Sequence, residues 1–144
     1  MYAIITLMKN NLSVGKIGED IACAYLEGRG FHIIERNFSR PWGELDIIAR
    51  AQDKTLVFVE VKAMKISRTR GAAEAIAPED NMTPAKIRKT KKIAAMYAND
   101  NPKSVDENVG WRIDLITISI PEDADGPLTY LIKNCEIKYF ENVE

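Results

Sequence analysis

The chain has 144 residues, 46% hydrophobic and 28% charged, with a formal net charge of −1. These values suit one soluble folding unit with a real core and exclude a disordered or fibrous chain. No run approaches the ~20 apolar residues that span a bilayer. A single histidine, His32, argues against His-based metal or nucleophile systems, and the distant Cys23 and Cys135 suit a reducing compartment.

Met1–Met8 is apolar but short, with no basic residues before it and no clear cleavage site after it. Residues 1–12 therefore read as an N-terminal extension, an edge strand or a partner contact, and a cytoplasmic location is expected. Residues 13–144 read as a single domain. Ser13 caps a first helix that runs to about Glu27 and stops at Gly28 and Gly30. Val14, Ile17, Ile21, Ala24 and Tyr25 form its apolar side, with Lys16, Asp20 and Glu27 opposite. Glu19 projects at the border, where it can face a site or pair with Lys16. Gly15 and Gly18 allow another element to approach closely.

Phe31–Phe38 reads as a strand, Arg40–Gly43 as a turn, and Ala51–Lys54 as a hairpin connection. Between them, Gly43–Ile48 and Leu56–Lys62 are strands that carry charge where a buried strand should carry none. Alternation puts Glu44 and Asp46 on one face, opposite Leu45 and Ile47. It puts Glu60 and Lys62 on the face of Leu56 and Phe58, opposite Val57, Val59 and Val61. Carboxylates gathered at hairpin ends can bind a hard divalent cation through oxygen. A lysine beside them can position a water or neutralise developing negative charge; among carboxylates the electrostatic role is favoured.

Residues 63–82 give the weakest signal: Arg68–Gly71 reads as a basic loop, with a short helix around Ala72–Ile76. Thr83 and Pro84 start a helix that continues to about Ala98. Arg112–Ile120 is a strand, Pro121–Pro127 an acidic loop, and Tyr130–Ile137 a last strand. The order α-β-β-β-α-β-β predicts an α/β fold with a central mixed sheet flanked by helices. Charge is distributed unevenly. Residues 62–92 hold nine Lys/Arg against three Asp/Glu, and residues 99–144 hold four against ten. Local fields rather than totals steer a polyanion, so Lys16, Arg68, Arg70, Lys86, Arg88, Lys89, Lys91 and Lys92 are candidate phosphate contacts. Trp42 can stack on a base or cover the core. Arg112 and Asp114 can pair, or Asp114 can help to position the site.

An acid in the first helix, Asp46, and then Glu60-Val-Lys62 resemble the PD-(D/E)xK nuclease pattern of the restriction-endonuclease-like fold. The fuller resemblance is to the bacterial YraN-like family. It rests on Gly15-Lys-Ile-Gly-Glu19, Arg36-Asn37, Gly43-Glu-Leu-Asp-Ile-Ile48, Val57-Phe-Val-Glu-Val-Lys62, Gly71, Lys86 and Arg112-Ile-Asp114. The chain departs from that family after Lys62, where Ala63-Met64 precede Lys65. The resemblance implies Mg²⁺- or Mn²⁺-dependent hydrolysis of DNA phosphodiesters. Asp46, Glu60 and Glu19 would be metal ligands, and Lys62 would complete the catalytic set. Archaeal Holliday junction resolvases have a similar arrangement, which suggests a branched DNA substrate and, with two sites needed, a homodimer. The rival expectation is a non-catalytic nucleic-acid-binding module in a DNA-processing assembly.

Overall fold

Ser13 and Thr83 open the two long helices as their capping chemistry predicts. Each side-chain oxygen accepts a backbone N–H three residues on, from Lys16 and Lys86, both at 3.2 Å. In this computed structural model, which describes residues 13–67, 80 and 82–144, the helices are α1 (Val14–Gly28) and α2 (Pro84–Asp100). Arg68, Arg70, the expected helix at 72–76 and the extension at 1–12 lie outside the described residues. Gly30 follows α1 with φ +88°, and the Phe31 N–H returns to the Leu26 carbonyl at 3.0 Å, closing the helix end.

The strands are β1 (His32–Arg40), β2 (Gly43–Arg50), β3 (Leu56–Ile66), β4 (Trp111–Pro121) and β5 (Glu136–Phe140). They form one mixed sheet in sequence order, antiparallel except for the parallel β3–β4 pair. That pair needs a crossover, and α2 lies within it. It runs in register from Leu56↔Trp111 to Ile66↔Pro121. This long ladder carries β3 four residues past Lys62, into a stretch with no clear sequence signal.

Both faces are buried over Leu56–Val59 of β3 and over most of β4. Val57 and Val59 with Ile116, Ile118 and Ile120 pack toward Ile17, Ile21 and Leu26 of α1. Leu56 and Phe58 with Ile113 and Leu115 pack toward Ile93, Ala94 and Tyr97 of α2. Strands covered on both faces read as near-continuous apolar runs, as these do. Tyr97 meets Phe38 and Phe58 edge-on, with centroids at 5.0 and 5.8 Å.

The expected last strand at Tyr130–Ile137 is corrected. A third helix, α3 (Leu128–Asn134), lies there, and β5 starts at Glu136. Leu128, Leu131 and Ile132 have helical spacing, and Leu131 is only 3% exposed in the α1-side core. Among the described residues the order is therefore α-β-β-β-α-β-α-β, with a short 3₁₀ turn at Pro102–Ser104. Among the described residues no helix is long and apolar enough to cross a membrane.

Candidate active site

The site forms where β2 and β3 separate. Their ladder runs from Arg50↔Leu56 to Ile47↔Val59 and ends there. Beyond it, the Asp46 Oδ2 atom accepts the Val61 backbone N–H at 2.8 Å, replacing the carbonyl that the ladder would have supplied. Across β1, the register passes from Phe38↔Leu45 to Arg36↔Ile47 over Asn37, whose φ is +54°. Leu45 joins the α2-side core and Ile47 the α1-side core. The expectation that they share a face is thus corrected: alternation breaks at Asp46, the residue taken up by the side-chain bond.

Gly18 sets the distance of α1 from this point. A Cβ at Gly18 would lie 2.3 Å from the Ala63 Cβ, so the helix backbone sits directly on β3. The next residue, Glu19, is thereby brought over the hairpin. With its amide nitrogen turned to the carboxylate, Asn37 donates to Glu19 at 2.8 and 3.2 Å. Burial is the main cause that pushes the Glu19 carboxyl up, opposed by Arg36 and Lys16. Lys16 pairs not with Glu19 but with Asp20 at 3.8 Å, and Arg36 holds the same Asp20 oxygen at 2.7 Å.

Asp46 is pushed up to about 7, first by burial and then by the charge of Glu60, with Glu19 and Glu44 adding to it; the Val61 hydrogen bond works the other way. The fold therefore brings Glu19, Glu44, Asp46 and Glu60 within electrostatic reach of one another. Glu60 is 14% exposed and accepts from Lys86 Nζ at 2.8 Å, an ion pair between β3 and the first turns of α2. Lys62 is exposed, with no ion pair among the described residues. Among the described residues no three His, Cys, Asp or Glu side chains converge on one point as they stand. Three of the four acids meet a protein donor instead: Asp46 the Val61 N–H, Glu60 Lys86, and Glu19 Asn37. The donor set is nonetheless all carboxylate oxygen, the chemistry that hard cations take and soft metals do not.

A groove of about 600 Å³ runs from Glu44 and Glu60 along the start of α2, lined also by Ser39, Arg40, Lys86 and Lys89; Glu19, Asp46 and Lys62 are not in its lining. Lys91, also on α2, is not part of this lining and pairs with Glu144 at 3.1 Å. Arg40 and Asn37 were the residues that sequence reasoning passed over. Arg40 read only as part of a turn, and Asn37 only as part of a motif. The one available signal was their position beside Gly43–Ile48.

Arg112 and Asp114 do pair, at 3.0 Å, away from this groove. Asp114 is fully buried and also accepts from Tyr139 Oη and from the Asn142 backbone N–H. It fastens β5 and the chain end to β4, and it is not among the main charges that act on Asp46.

The carboxylate cluster, the splayed hairpin and the Gly18–Ala63 contact all fall within residues 18–118, the stretch that matches Uncharacterised protein family UPF0102. The chain belongs to that family. It is 35% identical over 122 residues to a UPF0102 protein of Syntrophomonas wolfei, covering 85% of this chain and 96% of the relative. A UPF0102 protein of Syntrophus aciditrophicus is 39% identical over 118 residues, 78% of this chain and 92% of that one. One from Mycolicibacterium gilvum is 31% identical over 132 residues, 88% and 97% of the two chains.

Proposed function

We propose that this chain is a Mg²⁺- or Mn²⁺-dependent endonuclease that hydrolyses DNA phosphodiester bonds, built on a restriction-endonuclease-like fold. The observation that carries the reading is Asp46, a part-buried carboxyl crowded by Glu60, Glu19 and Glu44 beside a cation-lined groove. Such a cluster repels itself without a cation, and sites of this kind concentrate where chemistry is done. The element order supports the fold assignment. Glu19 comes from α1, Asp46 from β2, and Glu60 and Lys62 from β3, in a mixed sheet with a parallel crossover.

Asp46 and Glu60 would hold the ion, with Glu19 binding directly or through water. When bound, the ion would polarise the phosphate and make a water more acidic. Lys62, free of ion pairs among the described residues, orients the attacking water or offsets the charge that develops on phosphorus oxygens. Lys86 exchanges Glu60 for a substrate phosphate, and Lys16 is a second phosphate contact. Lys91, held by Glu144, is the weakest of that set. By analogy with archaeal Holliday junction resolvases the substrate is branched DNA, cut by a homodimer. In Mg²⁺ or Mn²⁺, wild type should cleave four-way and linear DNA substrates to measurable extent, and Asp46→Asn and Glu60→Gln should each lower the rate by at least ~100-fold with the fold intact. Equal cleavage by wild type and both variants would refute the assigned chemistry.

One observation favours a second reading, a nucleic-acid-binding module that does not cut. The Glu60–Lys86 pair satisfies the acid without a metal. That reading predicts salt-sensitive DNA binding that is unchanged by EDTA, with no cleavage by wild type in either metal.

A further inference from the structure

Trp42 occupies the tip of the β1–β2 turn and is 54% exposed. It therefore does not cover the core. Other aromatics near the sheet have ring partners, among them Phe38, Phe58, Tyr97 and Trp111. Trp42 has neither an aromatic partner nor a cation over its ring among the described residues. It faces one stripe of α2, made by Ala85, Arg88, Lys89 and Lys92 at three- and four-residue spacing, across a cavity of about 360 Å³. None of Arg88, Lys89 and Lys92 has an ion pair among the described residues, whereas Lys86 and Lys91 on the same helix are both paired. Ala85 and Lys89 also line the groove that reaches Glu44 and Glu60, so the two spaces adjoin.

We propose that Trp42, with Arg88, Lys89 and Lys92, forms a stacking site for an unpaired nucleobase, next to the carboxylates that would act on the same strand. An exposed indole offers a π-face to any base, and three cations beside it, without an ion pair among the described residues, suit the flanking phosphates. A paired base inside an intact duplex does not present that face. The inference rests on the groove being a nucleic-acid site and specifies its substrate class: strands with at least one unstacked nucleotide, as at a branch, flap or single-stranded end.

The test is fluorescence anisotropy with the full chain in EDTA, so that cleavage plays no part. The probes are labelled oligothymidylate and oligouridylate of about twelve nucleotides, and a blunt DNA duplex of the same length. Trp42→Ala should weaken binding of at least one single strand by about ten-fold and duplex binding by less than about two-fold, with unchanged Tm. Trp42→Phe should retain most of the affinity. Replacing Arg88, Lys89 and Lys92 together by Gln should lower the salt slope by about two to three. The two single-stranded probes report whether a DNA or an RNA strand is preferred. The proposal is overturned if wild type binds neither single strand, if Trp42→Ala binds both as wild type does, or if it loses single-strand and duplex binding alike. Loss of single-strand preference in Trp42→Ala, from a wild type that never cleaves, would refute the nuclease and leave the stacking site standing.

Discussion

Asp46 sits where an ionised carboxylate is costly. Its carboxyl ordinarily titrates near 3.8 but is pushed up to about 7 in the fold, by burial first and Glu60 second. Below about pH 4 it is protonated in both folded and unfolded chains, and its contribution to the fold is fully present. As pH rises toward 7 the unfolded chain gains by ionising and the folded chain does not, so that contribution is lost. Asp46→Asn keeps an oxygen for the Val61 N–H and removes the charge. In EDTA at pH 8 it should be more stable than wild type by about 1–2 kcal/mol, a few degrees in Tm, with the gain shrinking as pH falls toward 4. Thermal melts of both proteins across that range check this. Lys86 supplies a second test at the same scale. It neutralises Glu60 at 2.8 Å, so it competes with any cation that Glu60 would bind. Lys86→Gln should lower Tm in EDTA by an amount equivalent to about 1 kcal/mol. In differential scanning calorimetry, Mn²⁺ should restore more stability to the variant than to wild type.

At the scale of elements, the contact of α1 with β3 is the one that positions Glu19. Gly18→Ala places a Cβ against Ala63 at 2.3 Å, and the neighbour is another Cβ with no freedom to move aside. Despite the better helix propensity of alanine, the variant should lose about 1–3 kcal/mol, and Ala63→Gly in the same chain should recover most of it. Urea unfolding of the two single variants and the double variant measures the coupling. Both long helices and the strands from His32 to Pro121, β3 only as far as Lys62, were legible in the sequence because local signals agreed. Ser13 and Thr83 are caps, and the apolar stripes of α1 and α2 have helical period. α3 was missed because Tyr130–Ile137 also fits a short strand, and only its packing under α1 decides for Leu131. The break at Asp46 was missed because it comes from a side chain taking the Val61 N–H across 15 positions of sequence. Asp46, Glu60 and Lys62 were legible as charges in apolar strands, and Glu19 as an acid at the border of a helix face. Their partners, Asn37, Lys86 and Arg36, come together only in the fold.

Over the whole molecule, the net charge of −1 conceals a division of labour. Several acids of the C-terminal stretch are tied down: Glu141 to Arg112 at 2.7 Å, Glu144 to Lys91 at 3.1 Å, and Glu136 to Lys138 at 3.3 Å. Arg40, Lys89, Arg88 and Lys92 have no such partner among the described residues and border the groove and its neighbour. The buried Asp114 joins this C-terminal stretch to the sheet. Asp114→Ala would leave the part-buried Arg112 only the exposed Glu141 and would remove the buried acceptor of Tyr139 Oη and the Asn142 N–H, so it should cost about 3 kcal/mol. Guanidinium unfolding would show that loss, and hydrogen exchange would show β5 losing protection first. The central claim concerns the carboxylates that this sheet gathers. It is tested most directly by calorimetric titration of Mn²⁺ into wild type and Asp46→Asn, each with and without a DNA oligonucleotide. The account predicts binding by wild type at pH 8, about ten-fold weaker at pH 6 where Asp46 holds its proton, and absent from the variant. Equal binding by the two proteins, or none by wild type even with DNA present, would contradict it.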